Sequence, residues 1–253
     1  MPFESVRALF GWPGVYVALV VSGFVLYAVL SGASYLWSFV LRRDRYMPDY
    51  RPDPAEMKAS VQWAFYSIAG NALLMMPFEW AIANGKSQLY DGLWDHGALY
   101  LAFTVMFELV FSETLVYWIH RGLHLRFFYR LLHVRHHKFR VPTPLASMAF
   151  HPLDSFAQAL PHHLCAFMLP LNTWVYHSYV TAVMIWAVMI HDRVCFVGHP
   201  LVNHTGCHTA HHWYNKYNYG QFLSVWDRLC RTYKDPRELP AQFFASKPGW
   251  RSR

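Results

Sequence analysis

The chain has 253 residues, a formal net charge of +7, 15% charged, 55% hydrophobic and 18% aromatic side chains, whereas soluble domains run near a quarter charged. That composition excludes an ordinary water-soluble globule. The basic excess does not point to nucleic acid, because Lys and Arg are interspersed with aromatic and apolar residues rather than gathered in a polar stripe; a surface facing anionic lipid, or docking an acidic partner protein, fits better.

In chain order, Gly11 to Leu41 carries no Asp, Glu, Lys or Arg, and at about 1.5 Å per residue it exceeds the roughly 30 Å hydrocarbon thickness. It is too long for a signal-peptide core and no small-residue cleavage pattern follows it closely, so it reads as a retained span. The basic cluster Arg42, Arg43, Arg45 comes next, then the proline-punctuated linker Arg51-Pro52-Asp53-Pro54. Further apolar segments run Val61 to Ala83, Gly97 to Ile119 and Phe156 to Ile190, the last long enough for two helices turning near Pro170, Leu171 and Asn172.

The pattern predicts an all-α integral membrane protein with four to five hydrophobic helices and a cytosolic, histidine-rich helical cap. Most other Lys and Arg lie from Arg121 onward, and residues 84–96 hold only Lys86, so positive-inside counting places the region after Ile119 in the cytosol. Four cysteines, Cys165, Cys195, Cys207 and Cys230, show no C-x-x-C spacing, which supports neither a disulfide framework nor a thiolate zinc site. No fixed-period repeat or low-complexity tract is visible, and from Lys234 the tail turns polar and proline-rich, expected to lie against the cap or fray.

Fifteen of the 16 histidines lie at or after His120, in three tight groups: His120-x-x-x-His124, His133-x-x-His136-His137 and His208-x-x-His211-His212. At this histidine content about 0.06 copies of H-x-x-H-H are expected, and two copies by accident have a probability near ~0.002. Residues three and four apart share a helix face, so each group is expected to project its imidazoles in one direction. Eight box histidines are too many for one ion and suit two. Hydrolytic zinc pairs recruit carboxylates, and none lies inside the boxes, so redox iron is preferred, with zinc an alternative occupant in purified material. A haem would need about two histidines deep in the spans, so no haem is expected. Lone histidines such as His96, His162 and His177 read as hydrogen-bonded residues rather than ligands.

Six stretches, two of which include histidine boxes, carry a resemblance. Tyr117-Trp118-Ile119-His120-Arg121-Gly122-Leu123-His124, Val141-Pro142-Thr143-Pro144 through Phe150-His151-Pro152-Leu153-Asp154, and Ile190-His191-Asp192 are followed by Cys207-His208-Thr209-Ala210-His211-His212, Tyr217-Asn218-Tyr219-Gly220-Gln221 and Trp226-Asp227-Arg228. Together they resemble the sterol C-5 desaturases of the fatty acid hydroxylase superfamily, over about residues 110–233 within one membrane domain spanning 1–253.

The resemblance implies a non-haem diiron oxidoreductase of the endoplasmic reticulum that forms the C-5 double bond of a Δ7-sterol, using oxygen and electrons relayed by cytochrome b5 and its reductase or an equivalent carrier. The alternative is a superfamily hydroxylase acting on a fatty acyl, sphingoid or other lipid. Implied metal ligands are His120, His124, His133, His136, His137, His208, His211 and His212, with His191 as a ninth. Some superfamily members have a second histidine where this chain has Cys195, and His204 stands where many C-5 desaturases have glycine. A tenth ligand would therefore fall to His151 or His204, for which structural hydrogen bonding is the stronger expectation.

Thr209 is a candidate catalytic hydroxyl. Glu113, two helical turns before His120, is a candidate to accept the second N–H of a ligand imidazole, or else a packing carboxylate; Glu108 and Asp192 share that ambiguity. Phe103, Phe107 and Phe111 are candidates to line an apolar substrate cavity, with packing the commoner role for each.

Overall fold

The computed structural model describes residues 3–48, 50–139, 142–194 and 197–238. Cys195 and the tail beyond Glu238 lie outside them, and so do the expectations attached to both.

Nine α-helices are formed by the described residues: α1 (Glu4–Tyr35), α2 (Arg43–Tyr46), α3 (Pro54–Ala83), α4 (Gly97–Leu123), α5 (Arg126–Leu131), α6 (Pro152–Met168), α7 (Thr173–His191), α8 (Thr205–Tyr214) and α9 (Val225–Leu229). A π-helical turn, Leu36–Leu41, prolongs α1, and 3-10 turns cover His133–Lys138, Pro144–Ala146 and Pro236–Glu238. The all-α expectation holds apart from one small parallel pairing of β1 (Leu89–Tyr90) with β2 (Leu171–Asn172), Leu89 opposite Leu171. Two-residue strands carry no periodicity, which is why the sequence gives no sign of them.

Helix starts follow local chemistry. Asp53 accepts the N–H groups of Ala55 (2.9 Å) and Glu56 (3.2 Å) ahead of Pro54 at the first turn of α3. Asn172 does the same for Trp174 and Val175 at α7, so the turn expected near Pro170 to Asn172 is where α6 gives way to α7. Near the N-terminus Gly11 adopts φ +63°, two residues before Pro13, and kinks α1.

The hydrophobic helices divide into two classes. Glu4–Leu41, Gly97–Leu123 and Thr173–His191 are long and apolar enough to cross a membrane. On the first, Val17, Val21, Val25 and Val29, four residues apart, are each 54–61% exposed, a stripe that suits lipid rather than water. The other two pack beside them: α3 interrupts its apolar run with Gln62 and Asn71, and α6 has 17 residues, about 25 Å of helix.

Packing centres on α3, which lies against α6 and α1, and on α4 against α6. Tyr27, Ala64 and Ile68 join α1 to α3 in one buried cluster, and the Tyr27 hydroxyl donates to Leu145 O at 2.7 Å. Between α4 and the α6–α7 turn, the Tyr100 hydroxyl donates to Pro170 O, and Gln88 N–H donates to Ala166 O.

Gly70 allows the closest approach of α3 to α6: a Cβ there would stand 2.4 Å from Pro152 Cβ and 2.6 Å from its Cγ. Pro152 is a stiff ring at the start of α6, so Gly70→Ala is expected to destabilise by about 1–3 kcal/mol through overpacking. Gly32→Ala, where an added Cβ meets nothing within 4 Å, serves as the control, with thermal unfolding in detergent as the measurement.

Candidate metal centre

Four segments bring the histidines together: the last turn of α4 (His120) with His124 just after it, the 3-10 turn His133–Lys138, the last residue of α7 (His191), and α8 (His208, His211, His212). Helix ends of α4 and α7 present their C-terminal dipoles to the cluster, a partial negative charge that favours cations.

Nine imidazoles sort into two groups able to hold a metal ion, His120, His124, His133, His137 and His211 in one, His136, His191, His208 and His212 in the other, with the offered nitrogens of each group within 4.8 Å of one another. The expectation that each box faces one way is therefore corrected. In α8 His208 and His212 join the second group and His211 the first; in the 3-10 turn His133 and His137 join the first and His136 the second. In α8, at about 100° per residue, positions i and i+4 differ by only ~40° whereas i+3 lies ~100° from i+4, so that arm reaches to both sides.

Within the groups His137 Nε2 lies 3.1 Å from both His133 Nε2 and His211 Nε2, and His208 Nε2 lies 3.0 Å from both His191 Nε2 and His212 Nε2. Several of these rings have their other nitrogen committed as a donor: His120 Nδ1–H to Tyr219 O (2.8 Å), His133 Nδ1–H to Asp154 Oδ2 (2.7 Å), His211 Nδ1–H to Tyr217 O (2.7 Å) and His191 Nδ1–H to Ala187 O (2.6 Å). Their Nε2 atoms are then lone pairs, and lone pairs converging at this spacing repel unless a cation sits among them. Two nitrogens bound at about 2.1 Å and at right angles on one metal stand ~3 Å apart, so the donor set fits metal ions. Burial, reinforced by neighbouring imidazoles, holds His124, His136, His137, His208, His211 and His212 well below the usual histidine range, leaving them neutral and free to coordinate.

Two buried carboxylates brace the loop that supplies the carbonyl partners. Asp227 accepts Tyr219 N–H and Gly220 N–H, both at 2.9 Å, and the Thr232 hydroxyl at 2.8 Å. Burial pushes its carboxyl up, opposed by those three donors. Glu113 accepts the N–H groups of Gln221 (3.1 Å), Phe222 (2.9 Å) and Leu223 (3.1 Å). The reading of Glu113 as an imidazole partner is thereby corrected: it holds the loop whose Tyr219 carbonyl orients His120. The carboxylate that does take an imidazole N–H is Asp154, which sequence reasoning did not single out; its one visible signal is its place at the end of the His151-Pro152-Leu153-Asp154 stretch.

Other candidates are placed elsewhere. His151 and His204 accept backbone N–H groups, from Leu153 and Gly206, as caps of α6 and α8; neither belongs to a metal group. Asp192 accepts Val194 N–H at 2.7 Å, its carboxyl pushed up to about 8 by burial. The Thr209 hydroxyl donates to Thr205 O at 2.8 Å, inside α8. Cys165 and Cys230 are free thiols.

A cavity of about 200 Å³ borders both groups, touching His120, His136, His191 and His208 and running between α6 and α7. Phe150, in its wall, stacks on His136 with ring centroids 4.0 Å apart. The aromatic candidates are not part of that wall: Phe107 and Phe111 pack on the cluster of Cys165, Ala166, Leu171 and Tyr176, and Phe103 is 54% exposed.

A family model, fatty acid hydroxylase, matches residues 105–232; the chain belongs to that family. A Delta(7)-sterol 5(6)-desaturase of Schizosaccharomyces pombe is 39% identical over 216 residues, 85% of this chain and 65% of the relative. One of Eremothecium gossypii is 36% identical over 227 residues, 88% and 63%, and a lathosterol oxidase of Mus musculus is 43% identical over 157 residues, 60% and 52%. The chain thus spans somewhat under two-thirds of the length of these curated relatives. No solved structure matches.

Removing the Asp154 carboxylate frees the His133 ring, so Asp154→Ala is expected to weaken metal binding about 10- to 100-fold in a metal titration. Glu113→Ala strands three backbone N–H groups, each costing about 1–3 kcal/mol if left buried; faster amide exchange at Gln221 to Leu223 is the expected signature.

Proposed function

We propose that the protein is a non-haem diiron oxidoreductase that desaturates a Δ7-sterol at C-5, giving the 5,7-diene, in the endoplasmic reticulum membrane with its histidines on the cytosolic side. The observation that carries this reading is the pair of convergent imidazole groups at one end of a largely apolar cavity, in a chain 35–39% identical over 85–88% of its length to several Delta(7)-sterol 5(6)-desaturases. His120, His124, His133, His137 and His211 would hold one iron, and His136, His191, His208 and His212 the other.

Bound iron would supply the oxygen-dependent removal of hydrogen from unactivated carbon, which acid–base side chains cannot do. The chain's own residues hold the geometry. Tyr219, Tyr217 and Ala187 carbonyls and the Asp154 carboxylate fix the ring orientation of four ligands, and Phe150 clamps His136. Cavity residues such as Val116, Val183, Met184 and Ile190 exclude water and align a flat hydrocarbon. Exposed Arg126, Arg130 and Lys138 flank the second histidine box, a basic face suited to docking an acidic electron donor such as cytochrome b5.

Expression in cells lacking C-5 desaturation is the deciding experiment. Conversion of a Δ7-sterol to a species with conjugated-diene absorption is expected, with two metal ions per chain in the active form; zinc in purified material would mark displacement at imidazole sites. His133→Ala, His136→Ala and His212→Ala should each abolish turnover without removing the protein from the membrane. A hydroxylated acyl or sphingoid product carrying labelled oxygen, with no diene, would establish the hydroxylase reading instead.

A further inference from the structure

The cavity contains polar atoms that metal binding does not employ. Ser155, Gln158 and His162 of α6 line it at intervals of three and four, so one face of that helix follows the cavity away from the histidines. Asp154 anchors the near end on His133; eight residues on, His162 stands on the order of 10 Å further along the helix axis. His162 is 3% exposed, and its Nδ1 has no hydrogen-bond partner among the described residues. The Gln221 side chain lies within hydrogen-bonding reach of the His162 ring, and Gln221 Oε1, Asn71 Oδ1 and Ser147 Oγ, buried at the same cavity, have no other partner among the described residues. Polar groups left bare in an apolar wall are costly, and one explanation for their persistence is a ligand that completes their bonding.

We propose that His162, with Gln221 beside it, is the specificity-determining site that binds the substrate's single hydroxyl. The assignment rests on the sterol reading and deepens it. A neutral imidazole with one donor and one acceptor nitrogen, next to an amide, matches a hydroxyl, which both donates and accepts. In a Δ7-sterol the hydroxyl oxygen is three bonds from C-5, about 4 Å away. With a hydrogen bond of about 3 Å at one end and a reactive approach of about 3–3.5 Å at the other, the span is on the order of 10 Å, the length of α6 between Asp154 and His162. The hydroxyl thereby sets how far the ring system enters, and so which carbon meets the metal groups.

The test uses membranes containing the full chain, assayed with a Δ7-sterol and with its 3-deoxy counterpart. For the wild type, kcat/KM is expected to be roughly 10- to 100-fold lower on the 3-deoxy compound. His162→Leu should lower kcat/KM on the hydroxylated sterol by a similar factor and leave the 3-deoxy value unchanged, and His162→Gln, which keeps a donor and an acceptor, should recover part of the loss. Equal conversion of the two sterols by the wild type overturns the hydroxyl assignment and leaves the sterol reading intact, and it needs no variant to fold. An equal fall on both compounds in His162→Leu also overturns it. Failure of the wild type to convert either sterol strikes the sterol reading, and the assignment falls with it.

Discussion

Nine imidazoles crowded into two groups are the constraint from which the rest of the structure follows. Their Nε2 atoms approach to about 3 Å, a separation that suits a shared cation and that ring rotation would undo. Rotation is blocked because the rings are buried and several have their second nitrogen tied to a carbonyl or to Asp154. The apolar helices play a mechanical part here as well as a solubility one: α4 and α7 deliver His120 and His191 from their C-terminal turns, where the backbone dipole adds to the attraction for positive charge.

The bracing of one loop shows how such order is maintained. Glu113 on α4 and Asp227 on α9 between them accept the N–H groups of five successive residues, Tyr219 to Leu223. A carboxylate within an apolar helix is expensive, and Glu113 is tolerated there because three backbone donors solvate it. That arrangement fixes Tyr219, whose carbonyl orients His120, and sets Gly220 and Gln221 at the cavity wall. Local order at the metal groups thus depends on residues more than a hundred positions apart in sequence.

What was legible in the sequence is what depends on neighbours along the chain. Helical spans are visible from uninterrupted apolar runs, the turn near Asn172 from its punctuation, and the ligand arms from three- and four-residue spacing. Division of the H-x-x-H-H arms between two groups was only partly legible: helical angles part adjacent histidines in α8, but which group each joins, and the pairing in the 3-10 turn, depend on where the facing segments lie. Glu113 shows the same limit: a seven-residue interval places it on the side of α4 that carries His120, but the loop that occupies that side comes from Gln221 onward. Asp154 escaped notice because its histidine partner lies 21 residues earlier, beyond the reach of any helical spacing rule. His151 and His204 resemble ligands by composition, and the helices that begin just after them turn both into caps.

Interleaving of the boxes has a consequence for how the protein matures. Because the His133–Lys138 turn and α8 each feed both groups, neither centre is an independent module. An ion captured by the first group would draw His133, His137 and His211 into place, and with them, on the same short backbone segments, His136, His208 and His212 of the second. Filling one centre would therefore template its neighbour, giving a polypeptide emerging into the membrane a cooperative route to a loaded state rather than two separate searches.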